Sequence, residues 1–159
     1  MTTKVSHVLL ATDGSEGSLQ AAKFVAAVSG PLKAQVTILT VHSNEVLMLN
    51  PMGTTVLPAA TPETSLNLDE IRTAIEDQAS NTIIADTQAE LGDLPNIEVK
   101  QLWGQTAEII CDYAQDYDVD LIVIGSRGRS AFERLLLGSV STQVAQHSPC
   151  PVTIVHGKS

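Results

Sequence analysis

Short blocks of β-branched and aliphatic residues alternate with segments of helical periodicity along the chain. Such blocks predict strands, and the segments between them predict helices. Because a helix between two strands returns the chain to the starting edge of the sheet, this alternation indicates parallel strands joined by right-handed crossovers. We therefore expect an α/β, Rossmann-like fold: a single five-stranded, mostly parallel sheet with helices on both faces. The predicted strands are residues 5–12, 34–42, 97–103, 120–125 and 151–156.

Glycine and proline mark the end of the first predicted helix and the loop after the second strand. Apolar residues recur at helical spacing from Leu19 to Ala26, and Gly30–Pro31 is expected to end this helix. Residues 44–62 contain three prolines and show no periodicity, so they are predicted to form an exposed, flexible loop. A chain of 159 residues has the size of one domain, and we expect residues 1–159 to form a single domain that includes this loop.

Capping signals open the next two helices. Asn67 and Glu70 form a predicted capping box at the start of a long helix that ends near Leu91. Thr106 is the expected cap of a third helix, and Trp103 before it is expected to pack against the sheet. The apolar stripes expected to face the sheet are Leu68, Ile71, Ile75 and Ala79 in the first of these helices and Ile110, Tyr113, Ala114 and Tyr117 in the second.

The charge balance limits the possible partners. A net charge of −9 argues against nucleic acid as a partner, because neutralising a phosphate backbone requires clustered lysines and arginines. Among only nine basic residues, Arg127, Arg129 and Arg134 lie close together after the fourth predicted strand. This local concentration in an acidic chain predicts a small anionic ligand rather than a long polyanion.

Membrane insertion, secretion and disulfides are not expected. No apolar run approaches the roughly 18 residues of a membrane span, and the N-terminus shows no signal-peptide pattern, so we expect a cytoplasmic location. Cys111 and Cys150 lack C-x-x-C spacing and are interpreted as small, buried hydrophobic residues. The alternative, thiol redox chemistry, requires an exposed thiol of low pKa. The four histidines lack ligand spacing and are interpreted as core or surface residues.

A glycine-rich stretch follows the fourth predicted strand, which ends at Gly125. Gly128 comes after two intervening residues, and Gly138–Ser139 comes after nine more. Glycines allow main-chain N–H groups to approach a ligand closely, and a helix that begins at Gly138–Ser139 would direct its positive N-terminus toward an anion. The stretch therefore predicts a phosphate site. The alternative is a strand–turn–helix connection with ordinary glycines.

The spacing G-2x-G-9x-G-(S/T) resembles the signature of the universal stress protein family, in its ATP-binding branch. The N-terminal segment VLLATDGSEGS is similar to the first strand and turn of that family, and CPVTIVH is similar to its last strand. The resemblance covers nearly the whole chain, the loop at about 44–62 excepted. It implies a homodimer through residues 151–156, and pairing would also protect an apolar edge strand from aggregation.

The resemblance also implies a site for ATP or another adenine nucleotide, with Mg²⁺. Asp13 would meet the phosphates through Mg²⁺ or contact the ribose, with turn formation and helix capping as an equal alternative. Val41 would hold the adenine through main-chain groups, with core packing as the alternative. The other implied contacts are Ala11 and Thr12, then Gly125, Ser126, Arg127, Gly128, Arg129 and Ser130, and finally Gly138, Ser139, Val140 and Ser141.

Three functions fit these observations. The first is a nucleotide-binding regulatory dimer in the stress response, with a surface for an unknown protein partner that depends on the bound nucleotide. The second is a slow ATPase or autophosphorylating enzyme, although no residue is an evident catalytic base. The third is a nucleotide-independent chaperone or scaffold, against which the intact glycine spacing counts. Sequence alone does not distinguish ATP, ADP, AMP and cyclic nucleotides.

Overall fold

Strands and helices alternate through residues 4–42, 68–128 and 137–157, which the computed structural model describes. Each predicted strand is present, with ends that differ by at most two residues. The strands are β1 (His7–Ala11), β2 (Gln35–His42), β3 (Ile97–Trp103), β4 (Leu121–Gly125) and β5 (Val152–Val155). The helices are α1 (Glu16–Leu32), α2 (Leu68–Leu91), α3 (Thr106–Asp116) and α4 (Ser139–His147).

The five strands form one sheet in the order β3-β2-β1-β4-β5, and each of its four strand pairs is parallel. The predicted fold class is confirmed. From β1 the chain moves outward through β2 to β3, and it then returns to the other side of β1 for β4 and β5. The strand order therefore reverses between β1 and β4, and at such a switch point a crevice opens at the carboxyl ends of the strands.

Helices cover both faces of the sheet. On one face, α3 and α4 pack against the strands, and on the other face α1 and α2 do so. Each face buries a cluster of aliphatic side chains between the sheet and its helices, and this burial is the main favourable contribution to folding. The α3/α4 side includes Leu9, Leu39, Ile110, Ile122 and Val144, and the α1/α2 side includes Val8, Ala21, Val25, Ile38 and Val123.

Helix α1 does not end at Gly30–Pro31 as predicted but continues to Leu32, with Pro31 inside it. The reason is the hydrogen bonding of the last turn. The N–H of Lys33 donates to the carbonyl of Gly30, and the N–H of Ala34 donates to that of Ser29. This pattern closes the helix end without a bond from the proline nitrogen.

The predicted apolar stripe of α2 is wrong in the part that the structure describes. Ile75 is 64% exposed and Ala79 is also exposed. The residues that α2 buries are Ser80, Ile84, Thr87 and Leu91, two of which carry hydroxyl groups. The buried face of the helix is therefore partly polar, and the predicted apolar residues Ile75 and Ala79 face solvent.

Two of the expected aromatic positions are also wrong. Trp103 is 49% exposed and stacks on His42, with ring centroids 4.8 Å apart. Tyr117 is 57% exposed and stacks on Tyr113, which is buried as predicted. Thr106 is not the cap of α3, because Gln105 occupies that position and forms no side-chain capping bond.

Several predictions concern residues outside the described ranges. These are the loop at 44–62, the capping residue Asn67, and the side chains of Leu68 and Ile71. No helix in residues 4–42, 68–128 or 137–157 combines the length and the hydropathy that a membrane span requires. The single-domain organisation of residues 1–159 stays a prediction.

Candidate functional site

The turn after β1 lies at the switch point and carries Asp13. Its carboxylate Oδ1 accepts a hydrogen bond from the N–H of Ser15 at 2.9 Å, and Ser15 in turn caps α1 by accepting from the N–H of Ser18. Asp13 is exposed, so its carboxylate is held by the turn and is also open to solvent. The turn-forming role that was one of two alternatives for Asp13 is present, and it leaves the second carboxylate oxygen directed elsewhere.

The two halves of the glycine motif, residues 125–128 at the end of β4 and Gly138–Ser139 at the start of α4, are in direct contact. The N–H of Gly138 donates to the carbonyl of Ser126 at 2.6 Å. A Cβ built on Gly138 would lie 3.4 Å from the Cα of Arg127 and from that same carbonyl oxygen. The strand end and the start of α4 are thus in contact.

Glycine is required at the end of β4 because α1 passes very close to it. A Cβ on Gly125 would lie 2.7 Å from the carbonyl carbon of Gly17 and 2.8 Å from the nitrogen of Ser18. Both are main-chain atoms, so a side chain at Gly125 would push the helix away. Gly17 shares this contact, and a Cβ built there would lie 3.3 Å from the carbonyl oxygen of Arg127.

Gly128 brings the β4 loop beside Asp13. A Cβ on Gly128 would lie 2.9 Å from Oδ2 of Asp13, the carboxylate oxygen that does not bind Ser15. The hydroxyl of Ser15 also donates to the carbonyl of Arg127, at 3.4 Å. The acidic turn and the glycine loop are therefore neighbours, as the resemblance implied. Arg129 and Ser130 lie outside the described residues.

The first turn of α4 faces this loop. Its N-cap is Gly138, which has no side chain to bind the first N–H groups of the helix. Unpaired N–H groups and the helix dipole favour an anion at such an end. Ser139 is exposed there, while Val140 is partly buried against the core. Ser141 is 2% exposed, and its hydroxyl lies 2.8 Å from the carbonyl of Ser126, so its proton is directed inward.

Val41 lies near the end of β2, on the side of β1 that faces away from β4 and the glycine loop. The pairing of β1 with β2 stops at Ala11 and Leu39, where the N–H of Thr12 donates to the carbonyl of Leu39. Successive residues of a strand direct their main-chain groups to alternate sides, and His42 accepts from Gly104 on the β3 side. The N–H and C=O of Val41 therefore point to the β1 side, beyond the last residue of β1.

Thr12 contributes to this edge through its main chain only. Its side chain is 6% exposed and points under the sheet, where its hydroxyl lies 3.2 Å from that of Ser18 and 3.1 Å from that of Thr87. Ala11 is 7% exposed and packs in the α3/α4 core. A ligand at this edge would meet the main chain of both residues.

A cavity of about 220 Å³ adjoins the glycine loop on the α1 side. It contains only part of the predicted site. The sequence prediction missed the first turn of α1, because nothing local shows that Gly17 lies against β4. The cavity is lined by Ser15, Glu16, Gly17, Ser126, Arg127, Gly128 and Gly157.

The cysteines do not resemble reactive thiols. Burial raises the pKa of Cys111, and the nearby carboxylate of Asp112 raises it further. Burial also raises the pKa of Cys150, against a smaller opposing effect from the hydroxyl of Ser148. A raised thiol pKa leaves less thiolate at neutral pH, which is the reverse of what redox chemistry requires.

In the described ranges, no three His, Cys, Asp or Glu side chains are grouped so that they could hold a metal ion. A metal held mainly by protein side chains has no site there. A metal that uses one carboxylate and the oxygens of a phosphate ligand needs no such group.

The fold and this edge define a class: a parallel α/β protein with a glycine-rich loop at the switch point of its sheet. The sequence profile of the universal stress protein family matches residues 4–156. The chain therefore belongs to the universal stress protein family. It is 31% identical to universal stress protein YxiE of Bacillus subtilis (strain 168) over 152 residues, which are 94% of this chain and 98% of that protein. It is 32% identical over 148 residues to universal stress protein MJ0531 of Methanocaldococcus jannaschii, covering 93% and 80% of the two chains.

Solved structures share the fold over almost the whole chain. The universal stress protein UspA of Lactobacillus plantarum superposes with a TM-score of 0.74 at 23% identity, covering 97% of this chain and 99% of that one. Protein MJ0577 does so with a TM-score of 0.75 at 26% identity, covering 99% of both. A universal stress protein in complex with cAMP has a TM-score of 0.59 at 24% identity, covering 98% of this chain and 100% of that one. The universal stress protein of Archaeoglobus fulgidus in complex with dAMP has a TM-score of 0.56 at 20% identity, covering 95% and 97%.

Proposed function

We propose that this chain is a nucleotide-binding universal stress protein, a small cytoplasmic regulatory homodimer that holds ATP with Mg²⁺. Its surface for a protein partner changes with the bound nucleotide. The observation that carries the proposal is the contact between the two halves of the glycine motif, in which Gly138 donates to Ser126 at 2.6 Å beside Asp13. This contact brings the start of α4, which has no side-chain cap, next to the glycine loop. Main-chain N–H groups in such an arrangement favour an anion, which supports the proposal.

The arrangement supports an adenine nucleotide as the ligand class. The N–H and C=O of Val41 point past the end of β1, and a donor and an acceptor side by side can pair with the edge of an adenine ring. Two solved relatives of the same fold are complexes with cAMP and with dAMP. The base would lie near β2, and the phosphates would lie at the glycine loop and α4.

Asp13 fits the Mg²⁺ that accompanies ATP. Mg²⁺ is commonly held by one or two carboxylates together with phosphate oxygens. The carboxylate of Asp13 is exposed, is held by the N–H of Ser15, and has Oδ2 directed toward Gly128. When bound, the ion would neutralise phosphate charge that the acidic chain would otherwise repel.

The two edges of the sheet support dimerisation through β5. The β3 edge carries the ion pair of Glu98 and Lys100, whose charged atoms are 2.8 Å apart. Charged side chains on an edge strand oppose pairing with another chain. The β5 edge, Val152–Val155, carries no charge. Of the two edges, β5 is therefore the one suited to pair with a second copy.

The test begins with the nucleotide that the purified full-length protein carries. The protein is denatured, and the released small molecules are identified by mass spectrometry. Stripped protein is then titrated calorimetrically with Mg-ATP, AMP and cAMP. We expect an adenine nucleotide to be released, and we expect EDTA to weaken binding of ATP more than binding of AMP, because Mg²⁺ joins Asp13 to the phosphates.

Matched alanine variants locate the site. Gly128→Ala places a methyl group against Asp13 and should weaken Mg-ATP binding by about tenfold or more, which is about 1.4 kcal/mol. Gly30→Ala is the control, because the contact that its Cβ would make within the described residues is with a methyl group of Leu94 at 3.8 Å, at the other end of α1 from the site. If the wild type releases no nucleotide and gives no heat with any of the three, the nucleotide proposal fails and the scaffold function replaces it. Rapid phosphate release from ATP would instead favour the enzyme.

A further inference from the structure

Three buried hydroxyl groups meet beneath the turn that carries Asp13. The hydroxyl oxygen of Thr12 lies 3.2 Å from that of Ser18 on α1 and 3.1 Å from that of Thr87 on α2. The three residues are 6%, 3% and 0% exposed, respectively. The N–H of Gly14, in the turn itself, also points to the Thr12 oxygen, at 3.4 Å. One side chain thus joins β1, the turn, α1 and α2.

Counting protons fixes the direction of these hydrogen bonds. A hydroxyl group has one proton to donate. Ser18 donates its proton to the carbonyl of Ser15 at 2.9 Å, and Thr87 donates its proton to the carbonyl of Ile83 at 2.7 Å. Toward Thr12, both groups can therefore only accept. The proton of Thr12 has two acceptors, and the oxygen of Thr12 is left to accept from Gly14.

The direction of these hydrogen bonds matters because it lets the buried hydroxyl groups hold the turn that carries Asp13. The chain of bonds runs from the N–H of Gly14 to Thr12 and on to the helices. One residue later, the N–H of Ser15 donates to Asp13. Linked hydrogen bonds strengthen one another in a buried, low-dielectric setting. The orientation of the Asp13 turn thus depends on hydroxyl groups that belong to α1 and α2.

We propose that Thr87 is a positioning residue for the nucleotide site, which acts together with Ser18 through the hydroxyl of Thr12 to hold the turn that carries Asp13. The effect on nucleotide binding rests on the proposed function. The ordering of the Asp13 turn rests on the hydroxyl cluster alone. Thr87 itself touches neither the ligand nor Asp13. It lies on α2, far along the chain from the glycine motif.

The proton count makes a quantitative prediction. Because either acceptor can take the single proton of Thr12, Thr87→Val or Ser18→Ala alone leaves one bond in place. Each should weaken Mg-ATP binding by only about two- to threefold. The double variant leaves the buried proton of Thr12 with no acceptor hydroxyl among the described residues, and this is much more costly than the loss of one of two partners. Its binding should weaken by about 20-fold or more, beyond the product of the single effects.

The experiment uses the full-length protein and two readouts. The first is amide hydrogen exchange of Gly14 and Ser15 in the nucleotide-free protein, and the second is calorimetry with Mg-ATP. Thr87→Ser keeps the hydroxyl group. Combined with Ser18→Ala, it should therefore show slower amide exchange and tighter Mg-ATP binding than the Thr87→Val, Ser18→Ala double variant does. Thr82→Val is the matched control, because Thr82 makes the same bond to a carbonyl of its own helix, to Gln78 at 3.2 Å, but is exposed.

The outcomes separate this inference from the proposed function. Faster exchange at Gly14 and Ser15 with weaker binding in the double variant, and neither in Thr82→Val, supports the inference. Unchanged exchange in the double variant overturns it, whether or not the wild type binds a nucleotide. Faster exchange with unchanged Mg-ATP affinity overturns the positioning role. If the wild type binds no nucleotide, the proposed function and the positioning role both fail, and the exchange data alone decide whether the cluster orders the turn.

Discussion

At the scale of single residues, Lys33 and Gly92 occupy the same place at the ends of α1 and α2 but differ in their suitability for it. Both have a positive φ, 53° for Lys33 and 64° for Gly92. A residue with a Cβ is strained by about 1 kcal/mol in this conformation, whereas glycine is not. The end of α2 therefore carries the residue that this conformation favours, and the end of α1 does not.

Lys33→Gly should raise the free energy of unfolding by about 0.5–1 kcal/mol, because it removes the strain at the end of α1. Gly92→Ala should lower the free energy of unfolding by a similar amount, since no packing contact with the rest of the described chain lies within 4 Å of the added Cβ and the backbone conformation alone is affected. Urea denaturation of both variants measures the two changes. A loss of stability in Lys33→Gly would contradict the assignment of strain to this residue.

At the scale of elements, the close contact between α1 and β4 gives different roles to Gly125 and Gly128, which are equivalent in the sequence motif. A side chain at Gly125 would collide with main-chain atoms of α1, 2.7 and 2.8 Å from its Cβ. Among the described residues, a side chain at Gly128 would meet the end of a flexible side chain, Oδ2 of Asp13 at 2.9 Å. The first glycine is needed for packing, and the second is needed for the position of the carboxylate.

Gly125→Ala should therefore destabilise the protein by about 1–3 kcal/mol, the usual cost of overpacking, while Gly128→Ala should change its stability by less than about 0.5 kcal/mol. Thermal unfolding of the nucleotide-free proteins distinguishes the two. A Gly128→Ala variant as unstable as Gly125→Ala would show that the loop, and not the carboxylate alone, depends on this glycine. The comparison also shows whether weaker nucleotide binding by Gly128→Ala comes from a folded protein.

Local sequence patterns predict the elements better than they predict the surfaces that the elements bury. Strand patterns locate all five strands to within two residues at each end. The central strands are apolar throughout because helices cover both of their faces, and the edge strand β3 shows instead an alternation of apolar and polar residues. The pattern fails for α2, where Ile75 is exposed and Thr87 is buried. Hydroxyl groups that bond within the cluster are buried at little cost, and no local rule anticipates them.

The candidate site shows the same division. The spacing of Gly125, Gly128 and Gly138 is visible in the sequence and places the loop correctly against the start of α4. The contact of Gly17 with β4, and of Thr87 with Thr12, joins segments far apart in the chain. Such partners follow from the order of the strands and the packing of the helices, neither of which a local pattern specifies.

At the scale of the whole molecule, the sheet has two edges with different chemistry. The main-chain groups of β5 point to alternate sides. The carbonyl of Pro151, just before β5, accepts from Ile122 of β4, and the carbonyl of Val155 accepts from Ser126, just after β4. Val152 and Ile154 therefore direct their N–H and C=O groups outward, with no strand of the described residues beyond them. A second copy of β5 would pair with these groups and continue the sheet into the partner subunit.

Thr153→Lys should convert the proposed dimer into a monomer. Thr153 is partly exposed in the middle of the short strand β5, so a β5–β5 pair would carry a lysine in each of its two strands, and charges on an edge strand oppose pairing. Sedimentation equilibrium should then show a dissociation constant raised by at least about tenfold. Thr82→Lys introduces the same charge on the exposed face of α2 and should leave the dimer intact. A wild-type protein that sediments as a monomer at all concentrations, or a Thr153→Lys variant as dimeric as the wild type, would show that β5 is not the interface. In either case the uncharged edge would need another explanation, whereas the charged β3 edge would still be explained by its ion pair.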